Sequence, residues 1–323
     1  MTAEPGTRVL KADQAAIEAA AACLSQGGLV AFPTETVYGL GADARAGDAI
    51  ARLYAAKGRP AFNPLIAHVG SVAAAHALAE FNADAAKLAA AFWPGPLTLV
   101  VSKRTDCPVA ALALAGLDTI ALRVPAHATA RALLEAFGGP VVAPSANRSG
   151  HVSPTSAAHV LSDLRGRIDL ILDDGPCAVG LESTIVACLG EPTLLRPGGL
   201  PREEIERVLG HALATPPTIE DDDAPLAPGM LASHYAPAAK LRLDVAMPRN
   251  GEALLAFGAV PDFSGATLNL SARGDLIEAA ANLFSHLRAL DRTGAQSIAV
   301  MPVPHEGLGE AINDRLKRAA APK

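Results

Sequence analysis

The clearest indication of the fold is the stretch KGRPAFNPLIAHV (57–69), in which a polar turn leads into a short apolar run that predicts a buried strand. Two further stretches, FPTETVYGLGADA (32–44) and VVAPSANRSG (141–150), combine a short apolar run with a polar turn in the same way. The three turns collect fixed cations, hydroxyls, an amide and glycines in an otherwise alanine-rich chain. Such groups bind anions where loops meet at the edge of an α/β sheet. The pattern therefore predicts a phosphate or nucleotide site assembled from loops.

The composition is typical of a globular protein with about two domains. The chain has 323 residues, of which 50% are hydrophobic and 19% charged, and its net charge is −6. No apolar run reaches the roughly 18 residues that span a bilayer, and residues 1–14 do not resemble a secretory signal. We therefore expect a cytoplasmic protein without membrane contact. The negative charge argues against a whole-surface grip on nucleic acid, but leaves open a weak RNA contact through a local basic patch.

Alternating apolar patterns predict one α/β domain over residues 10–210. Strands are predicted at 29–32, 65–69, 97–101, 119–124, 141–143, 170–172 and 183–187. Helices are predicted at 13–25, 47–56, 72–79, 83–92, 128–137, 153–164 and from 201 onward, while 32–44 and 196–199 are expected to be turns.

The composition changes after this domain. The segment TPPTIEDDDAPLAP (215–228) is proline-rich, acidic and without periodicity, so residues 211–239 are predicted to be a linker. Residues 240–323 then predict a second, smaller α/β domain. Its strands are expected at 241–245, 254–257, 266–270 and 298–301, and its helices at 276–290 and 310–318.

Several familiar site patterns do not fit this chain. GLGADA (39–44) matches the dinucleotide pattern G-x-G-x-x-A, but it does not directly cap its strand and no acidic residue follows at the ribose position. The four cysteines form no C-x-x-C pair, so no zinc site is expected. There is neither a phosphate-binding G-x-x-x-x-G-K-[ST] loop nor a G-x-S-x-G elbow.

Taken in order, the polar motifs resemble the YrdC-like family of threonylcarbamoyl-adenylate synthases. The matching segments are PTETVYGLG (33–41), K-x-R with NPL (57–65), WPGPLTLV (93–100), ALRVP (121–125), PSAN-x-SG (144–150), ESTIV (182–186) and LRPGG (195–199). PGM-x-x-x-HYAP (228–237) resembles the linker of the longer, two-domain members. The resemblance implies a twisted, open, mixed sheet with helices, followed by a smaller Rossmann-like domain.

The reaction implied by the resemblance joins ATP, L-threonine and bicarbonate to give threonylcarbamoyl-AMP and pyrophosphate. It begins the t6A modification of tRNA, and a tRNA-modifying threonylcarbamoyl transferase complex would receive the product. No covalent nucleophile is needed, so positioning and charge neutralisation can supply the catalysis. Mg²⁺ would accompany ATP through phosphate oxygens and water, without metal ligands from the chain.

The resemblance also implies the site residues. Catalytic roles fall to Lys57, Arg59, Ser145 and Asn147. Contacts with ATP are expected from Lys57, Arg59, Asn63, Thr119, Ser145, Ser153, Arg196 and Tyr235, and contacts with threonine from Thr34, Thr36, His68, Arg123, Ala143 and Ser183.

Each of these assignments has a plainer alternative. Lys57 and Arg59 could be a solvated pair in a loop, and Ser145 with Asn147 could satisfy the backbone of their own turn. Arg123, a charge inside an apolar strand, needs a partner, which could be the threonine carboxylate or a structural carboxylate. His68 could be a satisfied core histidine, and Glu35 could be structural.

The linker motif suggests a lid. We hypothesise that PGMLASHYAP (228–237) folds over the site, with Tyr235 reaching the adenylate and excluding water from a labile mixed anhydride. Leu231, Ala232 and Ser233 stand where the family pattern carries basic residues, which weakens any case for a phosphate contact there.

Two other functions compete with this interpretation. An RNA-binding, translation-associated module would need stacking aromatics and basic stripes, yet aromatic residues make up only 4% of the chain. A carbamoyl-transfer domain acting on a protein would be expected beside acylphosphatase and zinc modules, and the sequence has neither.

Overall fold

A computed structural model describes residues 6–60, 63–215 and 235–321. The helices and strands of these residues form two sheets with their flanking helices, one of eleven strands and one of four. The mixed α/β architecture and the second, smaller sheet confirm the predicted fold class.

The first part of the chain builds the larger sheet. Its elements are β1 (Arg8–Lys11), α1 (Gln14–Ser25), β2 (Val30–Phe32), β3 (Gly39–Asp43), α2 (Gly47–Lys57), β4 (Ile66–His68), α3 (Val72–His76), β5 (Ala79–Glu80), α4 (Ala83–Phe92), β6 (Leu97–Lys103), β7 (Thr119–Arg123), α5 (Ala128–Phe137), β8 (Val141–Val142), α6 (Ala157–Leu164), β9 (Leu170–Asp173), β10 (Thr184–Ala187), β11 (Thr193–Arg196) and α7 (Arg202–Leu209). The strand order is β1-β9-β2-β3-β8-β4-β7-β6-β10-β11, with β5 paired to β6. Parallel and antiparallel pairs alternate irregularly, so the sheet is mixed.

The two faces of the central strands have different surroundings. On one face Ala67, Leu99 and Leu122 join the main core. On the other, Ile66 and Ala121 belong to a small buried cluster that also contains Val100, Ile185, Ala187 and Leu195. Because side chains alternate along a strand, His68 and Arg123 lie on this second face, where they are register partners at the ends of β4 and β7. This face is the floor of the site described below.

Local signals explain the helix boundaries next to the site. The Asp13 side chain accepts a hydrogen bond from Ala16 N and begins α1, as predicted. Gly58, at φ +61°, ends α2 in the left-handed conformation that glycine adopts without strain. The chain therefore turns sharply between Lys57 and Arg59, which places one at the helix end and the other in the following loop.

The predicted turn at 32–44 is wrong in its second half, where Gly39–Asp43 forms β3 between β2 and β8. Glycine disfavours strands, but here the packing requires it. A Cβ at Gly41 would lie 2.9 Å from the Phe32 ring. Tertiary pairing thus overrides the weak local preference.

Four smaller differences concern the bounds of two helices and the presence of two edge strands. The helix predicted at 72–79 ends at His76 and is followed by β5, and the helix predicted from Ser153 begins at Ala157, because Ser156 is the residue that caps it. The strands β1 and β11 were not predicted, so Arg196 closes a strand instead of lying in a turn. Both are strands of four residues at opposite edges of the sheet, too short to show a clear periodicity.

The smaller sheet is parallel throughout, with the order β12-β15-β13-β14. Its elements are β12 (Lys240–Arg242), β13 (Ala253–Ala256), β14 (Thr267–Asn269), α8 (Leu276–Asp291), β15 (Ser297–Val300) and α9 (Leu308–Ala320). Helices α8 and α9 pack in one apolar cluster that also contains Val37, Val152 and Leu181 of the first part of the chain. The second domain therefore rests on the side of the first that carries the polar motifs.

Part of the predicted linker, residues 216–234, lies outside the described residues, and with it most of the hypothesised lid, including His234. Tyr235 is the first residue described after this segment. Among the helices of the described ranges, none combines the length and the apolar character that crossing a bilayer would require.

Candidate active site

The polar motifs meet at one cavity over the second face of β4 and β7. Its walls come from segments up to about 180 positions apart in the chain. The lining residues are Arg59, Ile66, His68, Arg123, Ala143, Pro144, Ser145, Ser183, Arg196 and Tyr235. Eight of these ten were predicted as site residues from the sequence.

Lys57 joins the first and the third motif. It is buried, and its Nζ donates hydrogen bonds of 2.5 Å to the carbonyl oxygens of both Ser145 and Asn147. Ser149 N donates in return to the Lys57 carbonyl at 2.8 Å. Burial, reinforced by the charge of Arg59, holds the pKa of Lys57 well below its usual value. Lys57 is therefore not a solvated loop side chain, and it fixes the loop at 144–150 to the end of α2.

Arg59 lines the cavity with part of its hydrogen-bonding capacity unused. Its Nη2 donates to the carbonyls of Asn63 at 3.4 Å and Pro64 at 3.2 Å, and its Nε is buried without a partner among the described residues. Burial lowers the pKa of Arg59 to about 10, so it remains a cation at neutral pH. Asn63 is buried as well, and its side-chain oxygen also lacks a partner in the described ranges.

The contacts of Asn147 partly match the alternative in which it satisfies the backbone of its own turn. Its Nδ2 donates to the carbonyls of Arg148 and His151, each at 2.8 Å, which braces its own loop. Its Oδ1, however, is buried and finds no partner among the residues that the structure describes. A buried amide oxygen without a partner is costly, which favours a donor supplied by a ligand or by water.

Arg196 and Ser183 form another wall. Arg196 donates to the Ser183 carbonyl through Nε at 3.1 Å and Nη2 at 2.8 Å, and the Ser183 hydroxyl is 2.7 Å from that of Thr98. The glycines after Arg196 permit this contact. A Cβ at Gly198 would lie 2.4 Å from the Glu182 carbonyl oxygen. The LRPGG motif thus lets two backbone segments approach each other closely.

Arg123 is paired with a structural carboxylate, as its plainer alternative expected. Its Nη2 donates to Glu35 Oε1 at 2.7 Å, and its Nε donates to the Gly95 carbonyl at 3.2 Å. Beside it, His68 is buried, and burial together with the charge of Arg123 lowers its pKa to about 3. His68 is therefore neutral at physiological pH. Both side chains still line the cavity.

The remaining predicted residues surround this cavity without lining it. Thr34 and Thr36 are buried and share a 2.7 Å hydrogen bond, with Thr34 also donating to the Val37 carbonyl. Thr119 begins β7, and strand alternation places it on the same face as Arg123. Ser153 is buried and hydrogen-bonded to Glu182.

Two buried charges next to the cavity were not predicted as site residues. Glu182 lies in ESTIV, and Arg315 lies in α9 of the second domain, where it forms an ion pair with Glu182 at 2.8 Å. Arg315 shares the buried stripe of Ile312, Leu316 and Ala319 on its helix. A charge on such a stripe requires a buried partner, and that is the signal from which it could have been found.

The site has more buried cations than carboxylates to pair with them. Within the described ranges, Lys57, Arg59 and Arg196 have only carbonyl or hydroxyl partners, whereas Arg123 and Arg315 each have a carboxylate. The same ranges contain no group of three or more histidine, cysteine or acidic side chains that could hold a metal ion. A buried excess of positive charge defines an anion-binding site in an α/β protein.

Comparison with known proteins identifies the family. A family model described as telomere recombination, which groups Sua5, YciO and YrdC, matches residues 22–198. A second model, described as the C-terminal domain of threonylcarbamoyl-AMP synthase, matches residues 200–321. The chain belongs to the threonylcarbamoyl-AMP synthase family, in its two-domain form.

Individual relatives agree over nearly the full length. The threonylcarbamoyl-AMP synthase of Pyrococcus abyssi is 44% identical, with 94% of each chain covered. That of Bacillus subtilis is 39% identical, with 97% of this chain and 95% of the relative covered. The crystal structure of P. abyssi Sua5 in complex with L-threonine superposes with a TM-score of 0.88 at 42% identity, covering 97% of this chain and 96% of the other.

Proposed function

We propose that this chain synthesises threonylcarbamoyl-AMP from L-threonine, bicarbonate and ATP and releases pyrophosphate, the first step of t6A formation in tRNA. Membership of the family and the threonine complex of a relative support the reaction class. The observation that carries the proposal in this chain is the cavity in which Arg59 and Arg196 meet Arg123 and His68. One region of this cavity is suited to phosphates and the other to an amino acid.

Arg59 and Arg196 line the phosphate region, and Lys57 adjoins it through its bond to the Ser145 carbonyl. Arg59 and Arg196 are close enough that the charge of Arg196 contributes to lowering the pKa of Arg59. These like charges repel each other, Glu182 offsets only part of that repulsion at Arg196, and a triphosphate relieves the rest. The guanidinium groups can bind phosphate oxygens bidentately, while Lys57 adds a point charge and holds the Ser145 loop in place. The orphaned oxygens of Asn63 and Asn147 are acceptors that ribose hydroxyls or the adenine amino group can use.

The amino-acid region contains Arg123, His68 and Ser183. Arg123 uses Nε and Nη2 for protein contacts, which leaves further N–H groups for a carboxylate. Because His68 is neutral, it can accept or donate one hydrogen bond without adding charge. Thr34 and Thr36 stabilise the adjoining turn at 34–37 through their hydrogen bonds.

The chemistry then follows from positioning. The threonine amine attacks the carbon of bicarbonate or CO₂, and a C–N bond forms. With bicarbonate the hydroxyl leaves as water together with an amine proton, and with CO₂ the amine proton is released. A carbamate oxygen next attacks the α-phosphorus, and the bond to pyrophosphate breaks. The cations around the phosphates stabilise the charge that accumulates on the leaving pyrophosphate.

Mg²⁺ enters this scheme as part of the MgATP substrate. The carboxylates beside the cavity, Glu35 and Glu182, are each engaged by an arginine. Phosphate oxygens and water therefore remain as its ligands, in keeping with the preference of Mg²⁺ for partial hydration.

Tyr235 closes the cavity. Its side chain is 2% exposed, and the free volume left beside it is about 50 Å³, whereas ligand sites usually hold at least roughly 300 Å³. Substrates therefore require a lining side chain to move, and Tyr235 adjoins the segment between the domains. A closed Tyr235 would shield the mixed anhydride from water until the tRNA-modifying transferase complex takes it.

The deciding experiment measures pyrophosphate release from MgATP with the full chain. We expect release to require both L-threonine and bicarbonate, with threonylcarbamoyl-AMP identified by mass spectrometry. Release that is independent of both additions would remove the assigned reaction. Tight, salt-sensitive RNA binding without this turnover would favour the RNA-binding module instead.

A further inference from the structure

The second domain contributes a fully buried charge next to the cavity, in contact with the lining residue Tyr235. Arg315, in α9, is 0% exposed. Its Nε donates to Glu182 Oε2 at 2.8 Å, and its Nη2 donates to the Pro197 carbonyl at 3.0 Å. Both partners belong to motifs of the first domain, ESTIV and LRPGG. An arginine is favoured here because its planar fork can satisfy several acceptors at fixed angles.

Glu182 links Arg315 to Ser153, for which the family resemblance implies an ATP contact. Its second carboxylate oxygen is hydrogen-bonded to the Ser153 hydroxyl. Burial by itself would raise the pKa of Glu182, but the charges of Arg315 and Arg196 and the hydrogen bond from Ser153 lower it below its usual value. Glu182 is thus a buried anion whose charge and orientation depend on Arg315.

Arg315 also contacts the residue that closes the cavity. Its guanidinium carbon lies 5.1 Å from the centroid of the Tyr235 ring, a cation–π contact. On α8, Phe284 stacks with the same ring at a centroid distance of 5.8 Å and an interplanar angle of 23°. Tyr235 has a backbone φ of +64°, an uncommon conformation for a residue with a side chain. Contacts from α8 and α9 stabilise this conformation.

We propose that Arg315 is a positioning residue for ATP, so that the second domain is part of the active site and not only a support for the linker. It acts on Ser153 through Glu182 and on Tyr235 directly. Tyr235 lines the cavity, and the family resemblance implies an ATP contact for Ser153, so this inference rests on the proposed function. Arg315 need not touch ATP itself.

The test uses full-length variants and two separate measurements. Calorimetric titration with a non-hydrolysable ATP analogue and Mg²⁺ measures nucleotide affinity without turnover, and steady-state pyrophosphate release gives the KM values for ATP and threonine. The variants are Arg315→Met, Arg315→Lys, Glu182→Gln and the double variant Arg315→Met/Glu182→Gln.

A matched control is available on the same helix, α9. Arg202 of α7 and Glu310 of α9 form another ion pair between the domains, at 2.6 Å, and in the described ranges Arg202 donates to Glu310 and not to Glu182. Arg202→Met should leave analogue affinity and both KM values within twofold of the unchanged chain.

We expect Arg315→Met to weaken analogue binding at least tenfold and to raise the KM for ATP by a similar factor, with the KM for threonine within twofold. Arg315→Lys keeps the charge but loses the fork, so it should fall in between. The double variant removes the unpaired buried carboxylate and should recover the thermal midpoint, but not the nucleotide affinity. That split separates positioning from mere stability.

Analogue affinity within twofold of the unchanged chain, in both Arg315→Met and the double variant, would overturn the inference. Should Arg315→Met fail to fold, the double variant decides it. Failure of the proposed function would look different. The unchanged chain would then release no threonine-dependent pyrophosphate, while the affinity comparison would still report on Arg315.

Discussion

The two regions of the cavity differ in how their buried charge is balanced. Around Lys57, Arg59 and Arg196, every hydrogen-bond partner in the described ranges is a neutral oxygen, and the Glu182 carboxylate acts on Arg196 only through its charge. Around Arg123, the charge is neutralised by Glu35 at 2.7 Å and the neighbouring His68 is neutral. The proposed function places the highly charged ligand in the first region, where no carboxylate is hydrogen-bonded to the cations, and the zwitterionic amino acid in the second, where the charge is balanced in advance. On that proposal, the difference in charge balance assigns the two substrates to their places.

The largest expected effect comes from removing charge at the unbalanced region. Arg59→Met should lower kcat/KM by at least about 100-fold, the usual effect of losing one charge-stabilising donor. The free energy of unfolding should change by less than about 1 kcal/mol, because the hydrogen bonds lost are long and the Asn63 carbonyl keeps a donor in the Tyr54 hydroxyl. Pyrophosphate release and urea denaturation measure the two quantities.

Arg52→Met is the control for this prediction. Arg52 lies on α2, is half exposed and pairs with Asp169 on the surface, so both quantities should stay unchanged. If Arg59→Met retained more than a tenth of the activity, the unbalanced region would not be the phosphate site.

A smaller and more selective effect is expected at the balanced region. Arg123→Gln should raise the KM for threonine roughly 10- to 100-fold, the equivalent of one charged hydrogen bond, and leave the KM for ATP within threefold. Steady-state kinetics with each substrate varied in turn provides the measurement.

Glu35→Gln breaks the same ion pair but keeps the guanidinium and its bond to the Gly95 carbonyl. Its KM for threonine should change less than threefold, although breaking the pair destabilises the fold. Equal changes in the two variants would mean that Arg123 is only structural, which was the plainer interpretation of the sequence.

The sequence predicted this site well where the chemistry is local. Turns such as 57–59 and 144–150 carry their own residue signature, and their position at strand ends was enough to expect them at one edge of a sheet. Asp13 and the glycine after Lys57 likewise act within a few residues of their position. The structure brings residues of both turns to one cavity, whereas their roles toward the substrates stay a prediction.

What the sequence did not predict depends on distant partners. The strand Gly39–Asp43 forms because β2 and β8 pair with it on both sides. Its glycines, taken alone, predict a turn. The contact between Glu182 and Arg315 joins positions 133 apart, in different domains. Periodicity can mark each of them as a buried charge, but only the packed structure shows that they meet.

The smallest expected effect is on the pH dependence of the free energy of unfolding, and it tests the region around Arg123 through His68. The pKa of His68 is about 3 in the fold and near 6.5 in the unfolded chain, so between these values only the unfolded chain binds the proton. His68 therefore lowers the free energy of unfolding as the pH falls from about 6.5 toward 3. Between pH 7 and pH 5 its contribution is about 2 kcal/mol.

His68→Asn should remove that part of the pH dependence, as measured by urea denaturation at several pH values. His76→Asn, at an exposed position of α3, is the control for the substitution itself. His159, whose pKa is lowered to about 4 mainly by burial, keeps a dependence of the same sign and of similar size between pH 7 and pH 5 in every variant, so the slope should decrease without vanishing. If His68→Asn keeps the full slope, His68 takes up a proton in the folded protein. The region around Arg123 would then gain positive charge on acidification, and the contrast between the two regions of the cavity would hold only near neutral pH.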